Sequence, residues 1–158
     1  PVVTPDGATV GRHQGLAYYT LGQRQGLGIG GTRHGTDAPW FVADKDRARN
    51  ALIVVQGHDH PLLYDDAVDA QEAHWIAGTA PSMPVRLGAK TRYRMPDAAC
   101  TVNATDGVLR ATFDAPQWAP TPGQYLVLYD GDTCLGGGVI VERGGNVAGN
   151  RVEAAIAT

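Results

Sequence analysis

The ten residues Val85-Arg86-Leu87-Gly88-Ala89-Lys90-Thr91-Arg92-Tyr93-Arg94 put Val, Leu, Ala, Thr and Tyr at odd positions and Arg, Gly, Lys, Arg and Arg at even ones. A period of two belongs to a strand, because successive strand side chains point to opposite faces. The odd set then turns into a core, and Arg86, Lys90, Arg92 and Arg94 line up outside with i to i+2 neighbours about 7 Å apart. Outward from this segment, further strand candidates follow at 100–103, 108–113, 124–129 and 134–142. Asp106-Gly107, Thr121-Pro122-Gly123 and Asp130-Gly131-Asp132 supply the turns between them. Short strands at such even spacing predict a small antiparallel β-barrel.

Upstream, the pattern is also β-rich. Pro5-Asp6-Gly7 reads as a tight turn between short strands at 2–4 and 8–10. Eight glycines punctuate residues 11–35, which predicts a long shaped loop around Tyr18, Tyr19 and Leu21. Trp40-Phe41-Val42-Ala43 and Leu52-Ile53-Val54-Val55 are apolar strand runs, and the polar stretch 44–50 suits a hairpin connection with one helical turn. Residues 67–76 are ambiguous between a helix on propensity and a strand leading to Trp75. The expected organisation is mainly β: a small β-rich domain over 1–64, an antiparallel β-barrel over 65–143, and a frayed tail over 144–158.

Of the 158 residues, 21 are Gly and 10 are Pro, yet 43% are hydrophobic and 18% charged. That composition is rich in loops but can still bury a core, which rules out a disordered or collagen-like chain. No apolar run approaches the roughly 20 residues of a membrane span, and Pro1-Val2-Val3-Thr4-Pro5 lacks the charged start of a signal peptide. Two cysteines are too few for a disulfide framework. Together these features predict a cytoplasmic protein.

The net charge of −3 alone argues against nucleic-acid binding, but its distribution argues for it. Residues 61–84 hold 4 acidic and no basic side chains, residues 95–142 hold 6 and 1, and residues 85–94 hold 4 basic and no acidic ones. A row of cations on one strand face can track a phosphate backbone; the plainer alternative is a solvated outer face.

Other candidates are weaker. His58-Asp59-His60 has the donor types of a zinc corner, and a free-standing metal-dependent hydrolase is the enzyme reading it offers, but zinc needs three or four converging ligands. Gly28-Ile29-Gly30-Gly31-Thr32 could cradle an anion, yet no Lys-Ser/Thr pair follows it as in a nucleotide P-loop. Cys134, in Thr133-Cys134-Leu135-Gly136-Gly137-Gly138, has no neighbouring His or cation in sequence and reads as a buried strand cysteine. A third reading is an interaction barrel that binds protein and no RNA.

The string Gly11-Arg12-His13-Gln14-Gly15-Leu16, followed by Tyr19-Thr20-Leu21-Gly22-Gln23-Arg24-Gln25-Gly26-Leu27-Gly28-Ile29, resembles a signature of the tRNA-specific 2-thiouridylases. The likeness continues in the same order through Pro39-Trp40-Phe41-Val42, Gln56-Gly57-His58, Lys90-Thr91-Arg92-Tyr93-Arg94, Thr121-Pro122-Gly123-Gln124 and Cys134-Leu135-Gly136-Gly137-Gly138. Gln25 stands where the family usually has Lys, which removes a cation from the glycine-rich loop.

The resemblance implies an enzyme that uses ATP with Mg and a cysteine persulfide to replace a wobble-uridine oxygen by sulfur. Its partners would be tRNA and a sulfur-relay persulfide donor protein. This chain would correspond to the family's central domain and C-terminal barrel. The S-G-G-V-D-S loop and both catalytic cysteines of the family would lie upstream of Pro1, since Cys100 and Cys134 match neither, leaving this segment to bind tRNA without catalysis and without a cofactor or metal of its own. By position, Arg92, Tyr93 and Gln124 would contact tRNA, with Lys90 and Arg94 beside them. Because adjacent strand residues face opposite ways, Arg92 and Tyr93 can share a ligand only at a strand end, bulge or barrel rim. The Tyr93 ring would otherwise pack in the core.

Overall fold

A computed structural model describes residues 1–30 and 36–144 of the chain, so His34, Gly31, Thr32 and all but the first residue of the expected tail lie outside the described residues. The chain divides into two compact units between Leu63 and Tyr64.

In the first unit, β1 (Val2–Val3), β2 (Thr9–Gly11), β3 (Trp40–Asp46) and β4 (Ala51–Gln56) form a sheet of order β2-β1-β4-β3. β1 runs parallel to β4 and antiparallel to β2 across the turn at Pro5. The β3–β4 hairpin closes over residues 47–50, where the Asn50 N–H donates to Arg47 O (3.4 Å) and Asn50 adopts a left-handed φ of 50°. Val2, Val42, Leu52 and Val54 are fully buried, so the apolar runs of the sequence meet as the core of this sheet. Around residue 15 the chain is tied down by His13, whose Nε2 meets Asn50 O (2.8 Å) while its Nδ1 accepts the Gly15 N–H (3.0 Å).

The second unit is a closed six-stranded barrel of order β10-β5-β8-β7-β6-β9. Its strands are β5 (Tyr64–Trp75), β6 (Val85–Lys90), β7 (Ala98–Thr105), β8 (Val108–Trp118), β9 (Tyr125–Asp130) and β10 (Thr133–Arg143), all paired antiparallel. The stretch 67–76, ambiguous on propensity, is strand as far as Trp75 because β8 and β10 flank it on both sides. Inward-facing Val68, Leu87, Val102, Leu109, Leu126, Leu128 and Ile140 fill the interior. Each such side chain contributes about 1.5–3 kcal/mol on burial.

Two features close the barrel. Gly136 and Gly137 lie between β5 and β9, pairing with Trp75 and His74 on one side and Leu128 and Val127 on the other. At its far end Arg143 belongs to β10 and pairs with Asp65 of β5 (3.2 Å), both largely buried. No helix among the described residues is long and apolar enough to cross a membrane.

Candidate nucleic-acid interface

The alternation of residues 85–94 marks a strand only as far as Lys90. Residues 91–95 turn away, which corrects the expected ten-residue strand and breaks up its row of four cations. The outward face that remains is not a free ladder either. Arg86 is held bidentate by Asp114 of β8 (2.6 and 2.5 Å) and also donates to Thr101 Oγ1 (3.1 Å). That pairing raises the Arg86 pKa and lowers that of Asp114. Asp97 covers Gly88 so closely that a Cβ there would strike its carboxylate. The carboxylates absent from residues 85–94 thus arrive from β8 and from the segment before β7, where no local sequence pattern announces them.

The remaining basic residues gather at one barrel end. Lys90 ends β6 with its Nζ 5.2 Å from the centre of the Tyr129 ring. Arg92 folds back against the barrel: its Nε and Nη2 donate to Ala119 O (3.2 and 2.9 Å), and its guanidinium lies 5.1 Å from the centre of the Trp118 ring. Burial lowers its pKa from the ordinary value. Tyr93 is 91% exposed, so its ring is outside the core. Arg94 is exposed and makes no ion pair among the described residues. Thr91, between Lys90 and Arg92, is almost fully buried.

Gln124 comes to the same end from the turn after Pro122. Its N–H donates to Thr121 O (3.1 Å), and its carbonyl accepts from the Ile140 N–H (2.8 Å), which fixes its backbone at the start of β9. Its side-chain Oε1 and the Thr91 hydroxyl are buried with no hydrogen-bond partner among the described residues. Buried acceptors are nearly always satisfied, so these two atoms stand out at this end of the barrel. Of the five residues expected at an RNA contact, Lys90, Arg92, Tyr93 and Arg94 are therefore contiguous at the end of β6, and Gln124 opens β9, the strand beside it.

The other candidates separate from this site. His58 Nδ1 meets Asp59 Oδ1 (3.2 Å), and its ring packs edge-on against Phe41. His60 Nδ1 accepts the Leu62 N–H (3.2 Å), which leaves that nitrogen no lone pair for a metal. Among the described residues no group of three or more His, Cys, Asp or Glu side chains converges to hold a metal ion. Cys100 is the fully buried thiol, its pKa pushed up to about 11 by desolvation. Cys134 is only half-buried on β10, which corrects the expectation that it is the core cysteine. The glycines after it serve the close approach of β5 and β9.

Sequence comparison matches the two units separately. Residues 1–56 match a family described as the tRNA methyl transferase PRC-barrel domain, and residues 65–140 one described as the aminomethyltransferase beta-barrel domain. The chain is 64% identical over 140 residues to the tRNA-specific 2-thiouridylase MnmA of Thiobacillus denitrificans, covering 88% of this chain and 39% of that protein. It is 60% identical over 141 residues to the protein of the same name from Ralstonia pickettii, covering 89% of this chain and 38% of that one. The chain thus spans less than two fifths of the length of these relatives.

Proposed function

The chain belongs to the tRNA-specific 2-thiouridylase family, and from that premise we propose that its barrel holds and orients tRNA for an enzyme that thiolates the wobble uridine. The observation that carries this reading is the end of β6, where an exposed tyrosine stands between two arginines of unlike role. Arg92 is spent on the barrel's own backbone, so it fixes the turn and presents Tyr93, while Arg94 and Lys90 meet phosphate. Gln124, just before β9, lies beside them as a further contact. Holding the tRNA in one orientation makes the chemical step effectively unimolecular.

ATP and the persulfide donor belong, in this reading, to the chemistry of the whole enzyme, and the residues described here orient its substrate. The two thiols support a binding role: Cys100 is buried and hard to ionise, and Cys134 has no cation beside it in sequence. This chain incubated with unmodified tRNA, ATP and a persulfide donor should form no 2-thiouridine above a protein-free control.

The binding reading is tested by measuring tRNA affinity against salt for wild type, Lys90→Ala, Arg94→Ala and Gln124→Ala. Each lysine or arginine change should reduce the salt slope by about one unit or slightly less, whatever the RNA sequence. Gln124→Ala should weaken binding with the slope unchanged. Unaltered affinities and slopes in all three would put the RNA on another surface.

A further inference from the structure

We infer that Tyr125 is a second aromatic contact for RNA, and that the outer face where β6, β9 and β10 meet takes an unpaired nucleotide whose base stacks on the Tyr125 ring. This rests on the tRNA-binding reading above and assigns a residue to which neither the sequence motifs nor the comparisons give a role.

Along β9 the burial pattern alternates: Leu126 and Leu128 are fully buried, whereas Tyr125 is 68% exposed. Tyr125 therefore points out of the barrel, as Val127 and Tyr129 do. The register pairs Val127 with Lys90 on one side and Tyr125 with Val139 on the other. Two residues on from Lys90 is Arg92, and two back from Val127 is Tyr125, so the turn carrying Tyr93 and Arg94 leaves the sheet beside Tyr125.

Single exposed apolar residues are ordinary; their concentration here is not. Of the five large hydrophobic residues exposed among the described residues, Tyr93, Tyr125 and Val141 all fall at this end of the barrel. Val141 follows Ile140, whose N–H and carbonyl bond to Gln124 and Gly123 just before Tyr125.

Charge selects the occupant. Neither 91–96 nor 119–129 contains an acidic residue, and Asp65 at this end is taken by Arg143. Acidic residues bound the area rather than interrupt it: Asp97 follows the first stretch, Asp130 ends β9 at its far end from Tyr125, and Glu142 follows Val141. An exposed ring at the end of the barrel where β6 runs out into the basic residues Lys90, Arg92 and Arg94 suits a nucleotide, which has a π-face and a phosphate, better than an apolar protein segment.

The test uses this chain with a labelled unmodified tRNA, a single-stranded oligoribonucleotide and a blunt duplex of the same sequence. Tyr125→Ala and Tyr125→Thr should each weaken tRNA and single-strand binding about tenfold, with the salt slope and melting temperature unchanged. Tyr125→Phe should stay within about twofold of wild type, and duplex binding should not respond. Two variants guard against one failing to fold. If tRNA and single-strand affinity survive both while Arg94→Ala still lowers the salt slope, the Tyr125 inference falls and the tRNA reading stands. If the wild-type chain binds no RNA, both fall.

Discussion

Arg92 places two donors, Nε and Nη2, on a single acceptor, the carbonyl oxygen of Ala119. The Thr121 hydroxyl donates to the same oxygen (3.0 Å), and Ala119 itself sits at a left-handed φ of 46°. A non-glycine residue is unfavourable there, so the guanidinium clasps a strained loop at the start of the Gln124 turn. Arg92→Ala should therefore lower stability by about 2 kcal/mol, because it strips a buried carbonyl of charge-assisted bonds. It should also weaken tRNA binding by loosening both turns, whereas Arg94→Ala should weaken binding with no change in melting temperature. Thermal melts and tRNA titrations on the two variants separate the roles; equal melting temperatures for Arg92→Ala and wild type would contradict the clasp.

The barrel was legible because its information is local. Alternation in β6, β8 and β9, with Asp-Gly and Pro-Gly turns between them, needs only a few neighbouring residues to read. The geometry around the expected RNA contact was not legible. Thr91 is buried as the alternation requires, so nothing in the sequence signals that the strand ends at Lys90. The fate of each cation is set by distant partners: Asp114 for Arg86 and Ala119 O for Arg92. Those pairings depend on register across the barrel, which a window of ten residues does not contain. The orphan acceptor on Gln124 has no local signal either.

The two cysteines should differ sharply, with Cys100 and not Cys134 the buried one. Cys100 is fully buried, with its Sγ 3.5 Å from Leu87 O and its pKa raised to about 11, so at pH 8 only about one thiol in a thousand is ionised. Iodoacetamide at pH 8 should label Cys134 well before Cys100, as read by mass spectrometry of the folded chain. Cys100→Ser should cost about 1–3 kcal/mol if its hydroxyl finds no partner, and Cys134→Ser less. Preferential labelling of Cys100 would refute this order.

Gly136→Ala should disrupt closure of the barrel. Gly136 has a φ of 129°, and a Cβ there would overlap His74 O, a backbone atom that cannot swing aside. Its neighbours on both sides are strands, so relief would require parting β10 from β5. We expect a loss of at least about 3 kcal/mol, at the severe end for a point change, seen as a large drop in the melting temperature of the barrel. Gly131→Ala, in an open turn where an added Cβ meets nothing within 4 Å, should cost far less despite its φ of 58°.

Acid should weaken the first unit through His60. Burial lowers its pKa below the ordinary value, and its Nδ1 must stay unprotonated to accept the Leu62 N–H. The unfolded chain therefore binds the proton more readily than the folded one, with an unfolded value near 6.5. The stabilising contribution is complete above that value and is lost as the pH falls from about 6.5 through the lower folded value. His60→Asn keeps an acceptor but cannot titrate, and should flatten this part of the stability-against-pH curve. A curve identical in wild type and His60→Asn would assign the acid sensitivity to other groups.

Tyr93 offers a direct separation of fold from binding. With its ring almost wholly exposed, Tyr93→Ala removes no core contact, so the barrel should melt within about a degree or two of wild type. A ring that stacks on a base contributes about 1–3 kcal/mol to binding, so tRNA affinity should fall roughly tenfold with the salt slope unchanged. Tyr93→Phe keeps the ring and should be mild. Because Arg92 holds the turn that presents Tyr93, the two truncations should be less than additive in binding: once Arg92→Ala has loosened the turn, losing the ring removes less. Full additivity of Arg92→Ala and Tyr93→Ala would mean that Arg92 meets the RNA independently of the turn it clasps.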